Sequence, residues 1–138
     1  LISFINSVRD AHRVRLVYFN STAEFVAYLN AGQPRDRVRI IGFEFFGHSN
    51  RACFMFDYSN EIDSASKAWL HETELRRIAR GAFHPRAFIK SWGCHTGESM
   101  SRKWRRATGG TMWGAIGKTD YATGGIPALS TPGGRWVR

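Results

Sequence analysis

The stretch Ile89-Lys90-Ser91-Trp92-Gly93-Cys94-His95-Thr96-Gly97-Glu98-Ser99 decides how the chain is read. An apolar run over residues 87–92 breaks off in a glycine, a thiol and small polar residues, and a helical pattern begins at Glu98. That order is strand, tight turn, helix, with Cys94 carried on the turn. A second run, Val38-Arg39-Ile40-Ile41-Gly42-Phe43-Glu44-Phe45-Phe46, gives out in the same way at Gly47-His48-Ser49-Asn50. Its near-continuous apolar character is that of a strand buried on both faces of a parallel sheet, which predicts a place at the sheet's centre.

Outward from these two strands, helices and strands alternate. Leu1, Phe4, Ile5, Val8 and Ala11 fall at helical spacing and predict an amphipathic helix packed on the core, followed by a strand over residues 14–19. Ser21-Thr22-Ala23-Glu24 is a capping-box pattern, so a helix starts there. Phe25, Val26, Tyr28 and Leu29 give that helix a buried face, and Gly32 ends it in a left-handed turn. Residues 52–58 read as a short strand or hairpin arm and residues 59–66 as a polar loop. Leu70, Leu75, Ile78 and Ala79 mark a helix with acidic residues first, arginines last and His71 at its start. Residues 98–107 form the next helix, stopped by Thr108-Gly109-Gly110, and residues 112–116 a further strand; the glycine- and proline-rich remainder reads as loop.

This alternation predicts an α/β fold, a three-layer α/β/α sandwich with a mostly parallel sheet and right-handed crossovers. In such sheets sites form beyond the carboxyl ends of the strands. His48 and Cys94 both fall there, on the tips of neighbouring strands.

Composition bounds the rest. A chain of 138 residues with 43% hydrophobic content makes one domain with a real core. It opens on Leu1, which reads as a domain cut from a longer chain. No apolar run approaches the roughly 20 residues of a membrane span, so a soluble domain is expected. A net charge of +9, from 20 basic and 11 acidic residues, favours an acidic partner. No nucleic-acid signature accompanies it, so the cluster Arg102-Lys103-Trp104-Arg105-Arg106 reads as a solvated helix face or a partner contact, for instance with an acidic protein, rather than a specific nucleic-acid reader. Of the two cysteines, Cys53 lies in an apolar run and Cys94 in a polar turn, the surroundings of an inert and a reactive thiol respectively, the alternative being a single structural disulfide between them. The four cysteines of a structural zinc site are absent, and the chemistry expected here calls on no metal or cofactor.

A thiolate attacks a carbonyl when a nearby imidazole takes its proton and later returns it to the leaving amine. Cys94 and His48 suit that pairing. His95, adjacent to the thiol, is a rival base, but neighbouring side chains point apart. The oxyanion formed by the attack needs N–H donors, which the Cys94 turn and the turn after His48 can supply, with Gly47, Gly93 and Gly97 permitting close approach. Trp92, Asp57, Glu98 and Asp120 are candidates to line a substrate pocket.

Phe46-Gly47-His48-Ser49 and Gly93-Cys94-His95-Thr96-Gly97 resemble the two signatures of the caspase-like cysteine peptidases, closest to the metacaspase form. The resemblance covers residues 14–115, although only the two short motifs are specific. It implies a caspase-like three-layer fold whose first strand would precede Leu1, Cys94 as nucleophile and His48 as base and acid. It also implies the Cys94 and Ser49 amides as oxyanion donors and a peptide or protein substrate. Ser49 stands where the family carries glycine, Thr96 where it carries serine, and Trp92 where metacaspases often carry an aspartate that binds a basic side chain.

Three other readings use parts of the same pattern. Ser91-Trp92-Gly93-Cys94 resembles the nucleophile segment of L,D-transpeptidases, which act on peptidoglycan peptides, but the helix between His48 and Cys94 argues against them. Gly47-His48-Ser49-Asn50-Arg51 half-resembles a hydrolase elbow with Ser49 as nucleophile, but Arg51 occupies the closing glycine's position. A catalytically silent caspase-like binding module would use the basic helix instead. A toxin, a processing protease and a regulatory peptidase would share all these features.

Overall fold

The computed structural model describes residues 2–57, 68–122 and 125–138. Its α-helices are α1 (Ile2–His12), α2 (Thr22–Ala31) and α3 (Met100–Thr108). Its strands are β1 (Ile40–Phe45), β2 (His48–Ser49), β3 (Cys53–Met55), β4 (Trp69–His71), β5 (Phe83–Ser91), β6 (Met112–Ile116), β7 (Thr119–Asp120), β8 (Ala128–Leu129) and β9 (Arg135–Val137). The main sheet has the order β1-β5-β6-β9, with β1, β5 and β6 parallel and β9 antiparallel. The expected mixed α/β class with a mostly parallel sheet is therefore present. A small sheet, β2-β3-β4, stands beyond the end of β1, and β7 pairs with β8.

Pleating sorts the side chains of the main sheet. Phe43 and Phe45 of β1, Ile89 of β5 and Met112 of β6 face one side, where Val26 and Leu29 of α2 and Met100 and Trp104 of α3 meet them in a single cluster. Trp104 is fully buried, stacked on Phe43 at 5.5 Å and edge-on to Phe83 at 5.6 Å between ring centroids. The alternate residues Glu44, Lys90, Trp92 and Trp113 take the opposite face. There Lys90 lies 3.7 Å from the Trp92 ring centre and 4.0 Å from that of Trp136. Burial among these rings lowers the Lys90 amine from its ordinary value, and Glu44 across the strand pair opposes that shift.

The sequence expectation for β1 needs correction. Among the described residues this strand is an edge, paired only with β5, and Ile41 is 71% exposed. Its apolar run signals burial on one face rather than two, and β5, flanked by β1 and β6, takes the interior place. Residues 14–19, expected as a strand, form no strand or helix, and Val14, Val17, Tyr18 and Phe19 are exposed. Helix α1 forms as its periodicity predicts, but none of its residues is buried, so its apolar stripe does not join the core.

Local signals fare better. Ser21 caps α2, its hydroxyl accepting from the Glu24 N–H at 3.1 Å, while the Glu24 carboxylate accepts from the Asn20 N–H at 2.7 Å, one residue upstream of the expected partner. Gly32 leaves α2 with a right-handed φ of −63°, contrary to the expected left-handed turn. The helix expected over residues 71–78 is a 3-10 turn, Glu72–Arg77, entered from β4. His71 does start it, accepting from the Thr73 N–H at 3.2 Å, while its own N–H donates to Glu74 at 3.2 Å. The turn is short because the chain enters β5 at Phe83, having sealed Leu75 and Ile78 into the core. Gly109, with φ 79°, ends α3 where expected, and β6 coincides with the predicted strand. The C-terminal segment expected as loop holds β7, β8 and β9, and the predicted loop over residues 59–66 lies outside the described residues.

Candidate active site

Residues 94–99 form a turn between β5 and α3, pinned to the end of β6. The His95 N–H donates to Gly117 O at 2.8 Å and the Gly97 N–H to Ala115 O at 2.9 Å. His95 takes a left-handed φ of 64°, and its ring pairs with Glu98, which also accepts the Gly117 N–H at 3.0 Å. Partial burial pushes the Glu98 carboxyl up, but the Gly117 amide, His95 and Arg51 outweigh it and hold the group below its ordinary value. His95 and Glu98 thus brace the turn. Gly97 permits the close backbone approach expected of it, packing on β6, where a Cβ would stand 2.6 Å from Gly114 O.

The sulfur of Cys94 meets β7. The Thr119 N–H donates to Sγ at 3.4 Å, and Thr119 O lies 3.6 Å from it. A backbone donor on sulfur contributes most when that sulfur carries charge. The Thr119 hydroxyl in turn donates to Trp92 O at 2.8 Å, fixing β7 against the end of β5.

His48 arrives from the other strand tip. It opens β2, which pairs antiparallel with β3 through His48↔Met55 and Ser49↔Phe54. The Asn50 N–H donates to Cys53 O at 3.1 Å, so the alternation of an antiparallel ladder turns the Ser49 N–H away from β3. The Ser49 hydroxyl donates to Cys94 O at 2.8 Å, tying the two tips directly. Gly93 makes that approach feasible: a Cβ there would stand 2.1 Å from Ser49 Oγ.

A second tie comes from Tyr121. Its hydroxyl accepts from the Gly47 N–H at 3.2 Å and donates to Trp92 O at 3.2 Å, joining the histidine tip to the cysteine tip. Burial raises this phenol above its ordinary value and the Cys94 charge adds to that, against the lowering effect of the Gly47 donor.

Gly47, His48, Cys94, Thr119 and Tyr121 together line an open cavity of about 320 Å³. Of the residues expected at a site, the cavity brings together Cys94, His48 and Gly47, with Ser49 and Gly93 forming the seam between the tips. Trp92, Asp57, Glu98 and Asp120, expected as pocket residues, are not among its lining. Trp92 lies parallel to Phe46 at 5.8 Å and donates its indole N–H to Glu44 at 3.0 Å. Asp120 accepts the Ala122 N–H at 2.7 Å, and Asp57 is exposed beyond β3. Thr119 and Tyr121 were missed; the only signal for them was a hydroxyl and an aromatic at alternate positions in a segment read as loop.

Both cysteines are free. Cys53 lies in β3, where burial, with Glu72 and Glu74 adding, pushes its thiol up. Among the described residues no group of three or more His, Cys, Asp and Glu is placed to hold a metal, and no helix is long and apolar enough to cross a membrane. Arg102, Lys103, Arg105 and Arg106 form the exposed face of α3. No family model, curated protein or solved structure matches the chain.

Proposed function

We propose that the chain is a cysteine peptidase-like hydrolase of amide bonds, with Cys94 as nucleophile and His48 as general base and acid. The observation that carries this reading is the single cavity lined by both residues at the ends of neighbouring parallel strands. In the proposed reaction His48 takes the Cys94 proton and the thiolate attacks the carbonyl carbon. The N–H groups of Cys94 and Ser49 receive the oxyanion, the latter already directed away from its ladder. His48 then protonates the departing amine as the C–N bond breaks, leaving a thioester on Cys94. Water, deprotonated by His48, attacks the thioester, and the acid product leaves as the proton returns to sulfur. The finer architecture that goes with this reading is the caspase-like three-layer sandwich; the parallel β1-β5-β6 core and the His-then-Cys order of the strand tips support it, whereas α2 and α3 both lie on one face of that sheet among the described residues.

A second reading has one observation in its favour. The outer face of α3 presents four cations while Trp104 anchors its inner face, as a module that binds an acidic protein would require. Iodoacetamide labelling separates the two. The peptidase reading expects Cys94 to react well above a free small thiol at neutral pH, His48→Ala to remove that excess, and Cys94→Ala to abolish peptide turnover with the fold intact. Turnover retained in Cys94→Ala would refute it.

A further inference from the structure

We infer that the cavity over Cys94 selects an uncharged side chain on the acyl side of the scissile bond, with Tyr121 as the wall that sets this preference. The inference rests on the hydrolase reading and names its substrate class. Among the described residues five line the cavity, and of these His48 is the only titratable side chain besides the Cys94 thiol and the Tyr121 phenol. None of Glu44, Glu98 and Asp120 is in the lining, and each has another partner. Glu44 accepts the Trp92 indole N–H, Glu98 holds His95 and the Gly117 amide, and Asp120 caps the Ala122 amide. The Tyr121 hydroxyl is likewise committed, accepting from Gly47 and donating to Trp92 O, so it keeps no proton to offer an anionic occupant.

An ionised side chain entering this space would lose water without gaining an opposite charge. His48 cannot compensate for either sign. A carboxylate would pair with the imidazolium and hold the proton that the leaving amine needs, and a guanidinium would repel that imidazolium. An apolar side chain meets neither penalty, and the volume of about 320 Å³ falls at the low end of small-ligand clefts, which run from about 300 Å³. Leucine- and phenylalanine-sized groups suit a space of that size.

The test uses the whole chain and four peptidyl acyloxymethyl ketones that differ only in the residue next to the ketone: leucine, phenylalanine, arginine or aspartate. In each, the Cys94 thiolate displaces the carboxylate leaving group and forms a thioether, read as a mass shift of the intact protein and absent in Cys94→Ala. The leucine or phenylalanine reagent is expected to label at least about tenfold faster than the arginine and aspartate reagents. Tyr121→Phe should keep that order and Tyr121→Glu should move it towards arginine. An arginine or aspartate reagent that labels as fast as the uncharged ones overturns the inference while leaving the hydrolase reading standing. If iodoacetamide labels Cys94 but no peptidyl reagent outpaces a ketone lacking the peptide, the hydrolase reading fails and the inference falls with it.

Discussion

Gly93→Ala tests whether the two strand tips depend on each other. The added Cβ would fall 2.1 Å from Ser49 Oγ, 2.9 Å from Ser49 Cβ and 3.0 Å from Gly47 O, so it meets backbone as well as side chain. Forcing a methyl into a packed seam costs about 1–3 kcal/mol. If Ser49 swings away, its hydrogen bond to Cys94 O is lost as well, a net contribution of about 1 kcal/mol. Together about 2–4 kcal/mol is expected, which for a domain of this size lowers Tm by roughly 7–14 °C. The same displacement parts His48 from Cys94, so iodoacetamide labelling of Cys94 should slow in step. Ser49→Gly removes both the oxygen and the carbon in the way. The double variant should therefore recover part of the loss, with a coupling energy of about 1 kcal/mol or more in a double-mutant cycle followed by thermal denaturation. Strict additivity, or a Gly93→Ala protein that melts and labels like the parent chain, would refute the close approach of the tips.

Three other perturbations follow from the same geometry. Tyr121→Phe removes the bridge between Gly47 and Trp92 O, and a loss of about 1–2 kcal/mol with slower Cys94 labelling is expected in denaturant titration and mass spectrometry. Glu98 has its folded-state value held below the ordinary carboxylate value of 4.5, so its contribution is complete above that pH and is lost as pH falls through the folded value. Glu98→Gln should accordingly be less stable than the parent at neutral pH, with the gap closing in acid. Cys53, whose thiol is pushed up by burial, should label more slowly than Cys94 at neutral pH, as peptide mapping would detect; equal rates would contradict it.

What the sequence made legible was local chemistry. The Ser21 cap, the His71 start, the Gly109 stop and the β6 run each depend on a few adjacent residues, and each forms where those residues stand. The placement of His48 and Cys94 on neighbouring tips was also legible, because parallel strands with an intervening crossover leave few alternatives. Misreadings arose where distant segments decide the outcome. Residues 38–46 look doubly buried until the sheet order makes β1 an edge, and residues 14–19 have strand composition without strand pairing. Glu98, a pocket candidate as an acidic residue, and Trp92, a candidate from its position two before Cys94, do not line the cavity, because the turn directs one to His95 and the strand's alternation sends the other to the far face. Thr119 and Tyr121 reach the cavity only through β7, a two-residue strand too short to leave a periodic trace.

The aromatic group on that far face gives the domain an optical handle. Trp92 and Trp136 stand 5.3 Å apart at an interplanar angle of 75°, with the Lys90 ammonium against both rings. Two indoles held this near and this steeply inclined couple chiefly through their strong far-ultraviolet transitions, so a paired positive and negative band is expected there that Trp136→Phe would remove. Because the Trp92 carbonyl receives the hydroxyls of Thr119 and Tyr121, strain at the cavity reaches that pair through a single residue. A compound that displaces Thr119 or Tyr121 is therefore expected to change the signal of the Trp92–Trp136 pair, and an unchanged band on binding would show that the two sides of the sheet are independent.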